Sequence, residues 1–230
     1  MTPPTPPRSI PLSLWAVALG AALHPGCTCT ELPAAAPASP AAAAITAPFT
    51  DDFDRPTLGP DWRATDPATC RIESGELVIA LGHNHPVWLA RALPRNARIE
   101  FDGWSNDDAG DIKVEAWGDG RSFATDLVGQ YTSTAYNFIF GGWHNELSTL
   151  ARMHEHGNDR QSRGDVRVVK GQRYHFAIER RGAALSFLID GRPFLAFDDP
   201  APLEGDGHAY FAFTDWEAEL HFDHLRITPL

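Results

Sequence analysis

Arg173-Tyr174-His175-Phe176-Ala177-Ile178-Glu179-Arg180-Arg181-Gly182-Ala183-Ala184-Leu185-Ser186-Phe187-Leu188-Ile189-Asp190-Gly191-Arg192-Pro193 alternates twice and turns twice. Phe176 and Ile178 alternate with His175, Ala177 and Glu179. Leu185, Phe187 and Ile189 alternate with Ala184, Ser186 and Leu188. A period of two places successive side chains on opposite faces of a strand, and Gly182 and Asp190-Gly191 are residues that tight hairpin turns demand. The stretch predicts two antiparallel strands followed by a third, and so a twisted antiparallel β structure.

The same pattern extends in both directions. Strands are expected at Phe49 to Asp54, Cys70 to Glu73, Glu76 to Leu81, Val87 to Ala92, Arg98 to Trp104 and Asp111 to Trp117. Further strands are expected at Tyr136 to Gly141, Thr149 to His154, Val166 to Val169, Arg192 to Phe197, Ala209 to Thr214 and Glu219 to Thr228. Glu73-Ser74-Gly75, Gly118-Asp119-Gly120 and Glu204-Gly205-Asp206-Gly207 separate some of them as turns. Many short strands at this spacing, with almost no amphipathic helix, predict an all-β sandwich or barrel.

The first 48 residues have a different character. Arg8 precedes a mostly apolar run from Ile10 to Leu23, too short to cross a bilayer comfortably and followed by small residues. Residues 1–27 therefore predict an export signal. Gly26-Cys27 fits a bacterial lipoprotein cleavage site that would leave Cys27 lipidated, although Leu23 lies one place farther upstream than usual. Ordinary secretion and a retained anchor are the alternatives. Residues 28–48 are rich in Ala and Pro and predict an extended tether. Cys29 and Cys70 could pair in an oxidising compartment, and the cysteine spacing matches no zinc pattern.

About 180 residues remain for one all-β core, enough without metal or disulfide staples. The formal charge of −11 and the absence of a basic stripe argue against a nucleic-acid partner. The expected localisation is a bacterial outer or cell-surface membrane lipoprotein, otherwise periplasmic or secreted. Membrane contact would come only through the lipid anchor, and a monomer is expected.

Four short motifs carry a resemblance. Asp51-Asp52-Phe53-Asp54-Arg55, with Leu58-Gly59 and Asp61-Trp62, resembles the opening strand of concanavalin A-like, laminin G-like jelly rolls. Ser74-Gly75-Glu76-Leu77-Val78-Ile79 resembles their second hairpin, Tyr174 to Gly191 their penultimate hairpin, and Phe222-Asp223-His224-Leu225-Arg226-Ile227 their closing strand. The resemblance spans residues 49–230. It implies a two-sheet antiparallel jelly-roll sandwich with adjacent terminal strands and one concave sheet. Lectins, glycan-binding modules, glycoside hydrolases and polysaccharide lyases share that fold, so the fold alone does not select a function.

Residues 82–157 concentrate the residue types that recognise sugars. Five of the nine histidines beyond the export segment and four of the six tryptophans fall there, so that is where a site is expected. Trp88, Trp104, Trp117, Tyr131, Trp143, His144, Asn145, Arg152, His154 and His156 are the candidate ligand-binding residues. Flat C–H faces of sugars stack on aromatic rings and their hydroxyls need planar polar partners, though any single Trp can equally belong to the core. Tyr136, His144, His154 and His156 are the catalytic candidates. His83 with His85 and His154 with His156 each present two imidazoles to one strand face, yet no third metal ligand is identifiable at a diagnostic spacing.

Glycan binding is the leading expectation and polysaccharide cleavage the alternative; a structural or adhesion module that binds protein is a third. Hydrolysis by a retaining glycosidase requires two carboxylates about 5–5.5 Å apart. The E-x-D-x-x-E strand of the glucanase branch is absent. Glu217-Ala218-Glu219 places two carboxylates on one face of an expected strand without the intervening Asp, and Glu100 and Asp102 lack a third acid. Elimination needs a Tyr or His base and an Arg or Asn beside a uronate carboxylate. Tyr131, Tyr136, His144, Asn145, Arg152, His154 and His156 supply those types, which puts a lyase ahead of a hydrolase. The characteristic lyase triplets are absent. No cofactor is implied. A structural calcium at Asp52 and Asp223, or at Asn106-Asp107-Asp108 and Asp111, stands against simple turn capping.

Overall fold

The computed structural model describes residues 43–125 and 131–230. The export segment, Cys27, Cys29 and most of the tether lie outside the described residues. The strands are β1 (Phe49–Asp51), β2 (Trp62–Ala64), β3 (Cys70–Glu73), β4 (Glu76–Ile79), β5 (Val87–Leu89), β6 (Ala97–Ser105), β7 (Ile112–Gly118) and β8 (Tyr136–Gly141). They continue with β9 (Leu147–Arg152), β10 (Gln161–Arg163), β11 (Tyr174–Arg181), β12 (Ala184–Ile189), β13 (Arg192–Asp198), β14 (Tyr210–Thr214) and β15 (Leu220–Pro229). They build two antiparallel sheets. One has the order β13-β12-β11-β6-β15-β4-β3, with β1 added on β15, and the other the order β10-β9-β8-β7-β14-β5-β2.

The central hairpins follow the residues that specify them. Asp190 and Gly191 both have positive φ, at 50° and 73°, the sign pattern of a type I′ turn. Between Arg181 and Ala184, Gly182 alone is positive, at 63°, which suits type II′. Phe176, Ile178, Leu185 and Phe187 point into the sandwich, while His175, Glu179 and Ser186 point out. The expected meeting of the terminal strands occurs, with Phe49 opposite Ile227.

Aromatic rings fill the space between the sheets. Phe213 lies 4.3 Å from Phe222 and 4.9 Å from Phe211, centroid to centroid, and Phe101 lies 5.1 Å from Phe176. Each such ring removes enough apolar surface from water to contribute roughly 1.5–3 kcal/mol. A bulge in β15 keeps this pattern in phase. Asp223 pairs with Asp102 and Arg226 with Glu100, so His224, at φ 50°, absorbs the extra residue and returns Leu225 to the core.

The structure differs from expectation at three places. Val166 to Val169 is a loop, not a strand; Val168 is buried and its N–H donates to Asn145 Oδ1 at 2.8 Å, so a side chain replaces a ladder partner. β2 and β10 were unforeseen, because three residues are too few to display alternation. Packing also begins before Phe49: Ile45 is buried and its N–H donates to the Ala92 carbonyl at 2.9 Å.

Candidate functional site

The sequence Asp111-Ile112-Lys113-Val114-Glu115-Ala116 alternates apolar and charged residues at the start of β7. Ile112, Val114 and Ala116 enter the core, which sends Asp111, Lys113 and Glu115 to the outer face of the seven-stranded sheet. That face is not wet. Lys113 and Glu115 are almost fully buried, as are Trp88, Asn137, Thr149, Ala212 and Thr214 on the same face. Loops cover it. Trp88 Nε1 donates to the Ser122 carbonyl at 3.0 Å, and Ser133 Oγ and Tyr131 OH both donate to Glu115 Oε2. From the other side, residues 153–157 fold back so that Glu155 reaches Lys113.

Lys113 organises the floor. Its Nζ donates to Glu155 Oε2 and to Asn84 Oδ1, each at 2.6 Å. Asp111 Oδ2 accepts from the Trp216 N–H at 2.9 Å, and Asp215 Oδ2 accepts from the Gly82 N–H at 3.1 Å. Gly82 is required there, since a Cβ would come within 2.0 Å of Asp215 Oδ1. Burial raises Asp111, Glu115 and Asp215 each to about 7, only partly countered by Lys113. Glu155 goes the other way. Burial alone would raise it, but the Lys113 ammonium holds it below its ordinary value. Two carboxyl groups of one site are thus driven apart, the pattern that separates an acid from a base. Glu115 Oε1, Asn137 Oδ1, Thr214 Oγ1 and Asp215 Oδ1 are buried without a hydrogen-bond partner.

Above this floor, at one end of the sheet, lies a cavity of about 280 Å³. Asn84, Asp111, Lys113 and Glu155 form its base, and Trp143, His144, His156, Trp216 and Glu217 its walls. The turn Gly142–Asn145 between β8 and β9 presents Trp143 and His144 in a left-handed conformation, at φ 52° and 57°. Asn84 and Asp111 also have positive φ. Non-glycine residues held this way cost about 1–3 kcal/mol each and concentrate at functional sites. The His156 ring packs edge-on against Trp143 at 5.4 Å, Arg160 lies 5.4 Å over Trp143, and His83 meets Trp216 at 4.9 Å.

Of the sequence candidates, the cavity brings together Trp143, His144 and His156. His154 stands beside them, exposed, with Nδ1 accepting from the His156 N–H at 3.0 Å. The others are placed elsewhere. Tyr131 and Trp88 belong to the covered outer face, and burial beside Glu115 pushes the Tyr131 phenol well above its ordinary value. Trp104 lies on the outer face of the other sheet, stacked on His221 with Arg173 3.8 Å above its ring. Trp117 is a core residue whose Nε1 donates to the Pro94 carbonyl. Tyr136 is also core, away from the cavity: its hydroxyl donates to Asp199 Oδ2 at 2.6 Å and accepts from the Leu203 N–H. Arg152 sits opposite Tyr136 at the far end of β9, near Asp199 and Ala201. Asn145 staples loops through Asp108 and Val168.

Glu217 and Glu219 do not share a face. Glu217 rims the cavity, whereas Glu219 binds Arg71 on the outside of the other sheet. For the calcium candidates, Asp223 meets Arg173 and the His224 N–H, Asp107 caps the Ala109 N–H, and Asp52 is exposed. Among the described residues no group of three or more His, Cys, Asp or Glu is arranged to hold a metal. Sequence reasoning missed Asn84, Lys113, Glu155 and Trp216. The only available signal was the charged half of Asp111-x-Lys113-x-Glu115, which reads like any strand with one wet face.

No protein-family model and no curated protein matches the chain. Solved structures do. A prokaryotic β-1,3-1,4-glucanase (lichenase) derived from a mouse hindgut metagenome superposes with a TM-score of 0.57 at 10% identity, covering 80% of this chain and 100% of that one. The β-glucanase of Bacillus licheniformis gives 0.55 at 10% identity, covering 81% and 100%. The carbohydrate-binding module CBM66 of Bacillus subtilis gives 0.53 at 12% identity, covering 75% and 98%. With two antiparallel sheets in this strand order, the chain has the concanavalin A-like jelly-roll fold.

Proposed function

We propose that this protein binds a glycan in the cavity at the Trp143 end of the seven-stranded sheet. The observation that carries this reading is the pairing of two indoles, Trp143 and Trp216, with a floor of fixed polar groups, Asn84, Asp111, Lys113 and Glu155. Rings offer stacking surfaces to sugar C–H faces, and the floor offers directional partners to hydroxyls. At about 280 Å³ the cavity lies near the low end of ligand pockets, which suits a chain end or one to two sugar residues. The glucanase and carbohydrate-binding neighbours make a glycan the natural ligand class for this fold. Export, with Cys27 as the acylated residue, rests on residues 1–27 alone. Among the described residues no helix is long and apolar enough to cross a membrane.

Cleavage in the same cavity is the second reading, and the split between Asp111 and Glu155 favours it. Asp111 keeps its proton near neutrality and could deliver it to a departing glycosidic oxygen, while Glu155 stays ionised. This split is what supports hydrolysis as the form of cleavage. Elimination would use His144 or His156 as base and Asn84 beside a uronate carboxylate, since Lys113 is already tied to Glu155.

Retention of the full chain on a panel of immobilised polysaccharides, read together with reducing-end release, tests both readings. Trp143→Ala should weaken retention about tenfold or more by removing a stacking face. Loss of products with retention kept in Asp111→Asn would establish cleavage. Retention unchanged in Trp143→Ala would remove this cavity as the binding site.

A further inference from the structure

The charges around the cavity point to the kind of sugar it takes, an inference that rests on the glycan reading. Among the described residues Lys113 is the only Lys or Arg that lines it, and its side chain is 2% exposed and engaged by Glu155 and Asn84. Among the described residues no cation lies at hydrogen-bond distance from Asp111 or Glu217, which line the same space; His83 Nε2 lies 3.9 Å from Glu217. Burial keeps the Asp111 proton on; Lys113 opposes this, while Glu155 and Asp215 act as like charges and add to it. Two indoles complete the enclosure with His144 and His156, and the faces of indoles attract cations; Arg160 already lies 5.4 Å over one face of Trp143, which leaves its other face and Trp216 to a ligand. The wider field has the same sign. Arg8 and Glu31 are the only Lys, Arg, Asp or Glu before Phe49, so the net −11 of the chain belongs to the folded domain.

Each sugar class meets this cavity differently. A uronate would bring a further carboxylate against Asp111, Glu155 and Glu217, and would lose hydration without gaining a cation. A neutral hexose would find no charge partner here, leaving Asp111 protonated and Glu217 in solvent at the rim. A protonated amine would pair with them and face the Trp143 and Trp216 rings. The geometry points to a hexosamine residue with a free ammonium group as the ligand of this cavity, held between the Asp111 and Glu217 carboxylates and the two indoles. The sugar ring supplies the C–H face for stacking, which a lysine side chain lacks. Binding would draw Asp111 back toward its ordinary value and release its proton to solvent.

Calorimetric titration of the full chain at about pH 6, below the pKa of an ordinary amine, tests this with four probes: a glucosamine tetramer, its N-acetylated form, cellotetraose and tetralysine. The glucosamine tetramer should bind about tenfold or more tighter than the acetylated and neutral tetramers, and less tightly as salt is raised. Titration in two buffers of different ionisation enthalpy should register proton release. Glu217→Gln should narrow the preference; Glu217 is exposed at the rim, so the fold is not at stake. Equal or tighter binding of the acetylated or neutral tetramer would overturn the amine and leave the glycan reading standing. Tetralysine matching the glucosamine tetramer would overturn the sugar as the source of the amine. Binding of none of the sugars would overturn both readings.

Discussion

Residues 143–145 illustrate how position decides the role of a side chain. Trp143, His144 and Asn145 all have positive φ, an unfavourable arrangement for side chains with a Cβ. Asn145 offsets the cost by bridging the Asp108 and Val168 backbones. His144 is exposed and has no such bond among the described residues, and its ring lines the cavity. His144→Gly should therefore raise the free energy of unfolding by about 1 kcal/mol in urea titration while weakening ligand binding. A destabilised variant would show that the ring contributes packing instead. The sequence marked all three residues as ligand candidates. It could not separate Asn145, because amide side chains that staple loops and those that meet sugars are the same residue type.

At the scale of one strand, β7 holds the buried charge. Lys113 lies across from Thr214 of β14 and Ile139 of β8, so no partner on the ladder itself neutralises the ammonium. Neutralisation comes from Glu155 on a loop 42 residues away. Lys113→Met should cost about 3–5 kcal/mol, because it strands Glu155 in a dry site; adding Glu155→Leu should restore most of the loss. Equal instability of the single and double variants would mean that the pair does not act as a unit. A glucanase-type strand would carry an E-x-D-x-x-E run, which the sequence lacks. Here a lysine stands between Asp111 and Glu115. Alternation made the strand legible, but whether its charged face is wet or covered depends on chain distant in sequence.

Across the whole molecule, the buried carboxyls set the response to pH. Asp111, Glu115 and Asp215 sit at about 7 against ordinary values of 3.8 and 4.5. Between those limits the folded chain keeps protons that the unfolded chain has released, so stability falls as pH rises through the window and levels off above it. His224, raised by its bond to Asp102, acts in the same direction: its contribution is present below 6.5 and lost as pH rises through its folded value. Its exposure keeps that contribution small. Asp51 and Glu155 are lowered, and their contribution is lost only as pH falls below their ordinary values. The melting temperature should be higher at about pH 5 than at about pH 8 by several degrees, and Glu115→Gln should reduce the difference. A melting temperature that rises over that interval would contradict the placement of these acids.

By itself the sequence determined an antiparallel all-β structure and its central hairpins, while the two-sheet sandwich and the meeting of its ends followed from the resemblance of four short motifs to concanavalin A-like jelly rolls. Strand period, turn residues and aromatic content act locally, and the core rewards one arrangement of them. The tertiary structure decided the site. Trp104, Trp117, Trp88 and Trp143 look alike in the chain but lie on one sheet's outer face, in the core, beneath loops and at a cavity. Asn84, Asp111, Lys113, Glu155 and Trp216 meet only after loops from four parts of the chain fold over one end of a sheet. Whether a charged side chain is solvated or buried is a property of what covers it, and no local spacing encodes that.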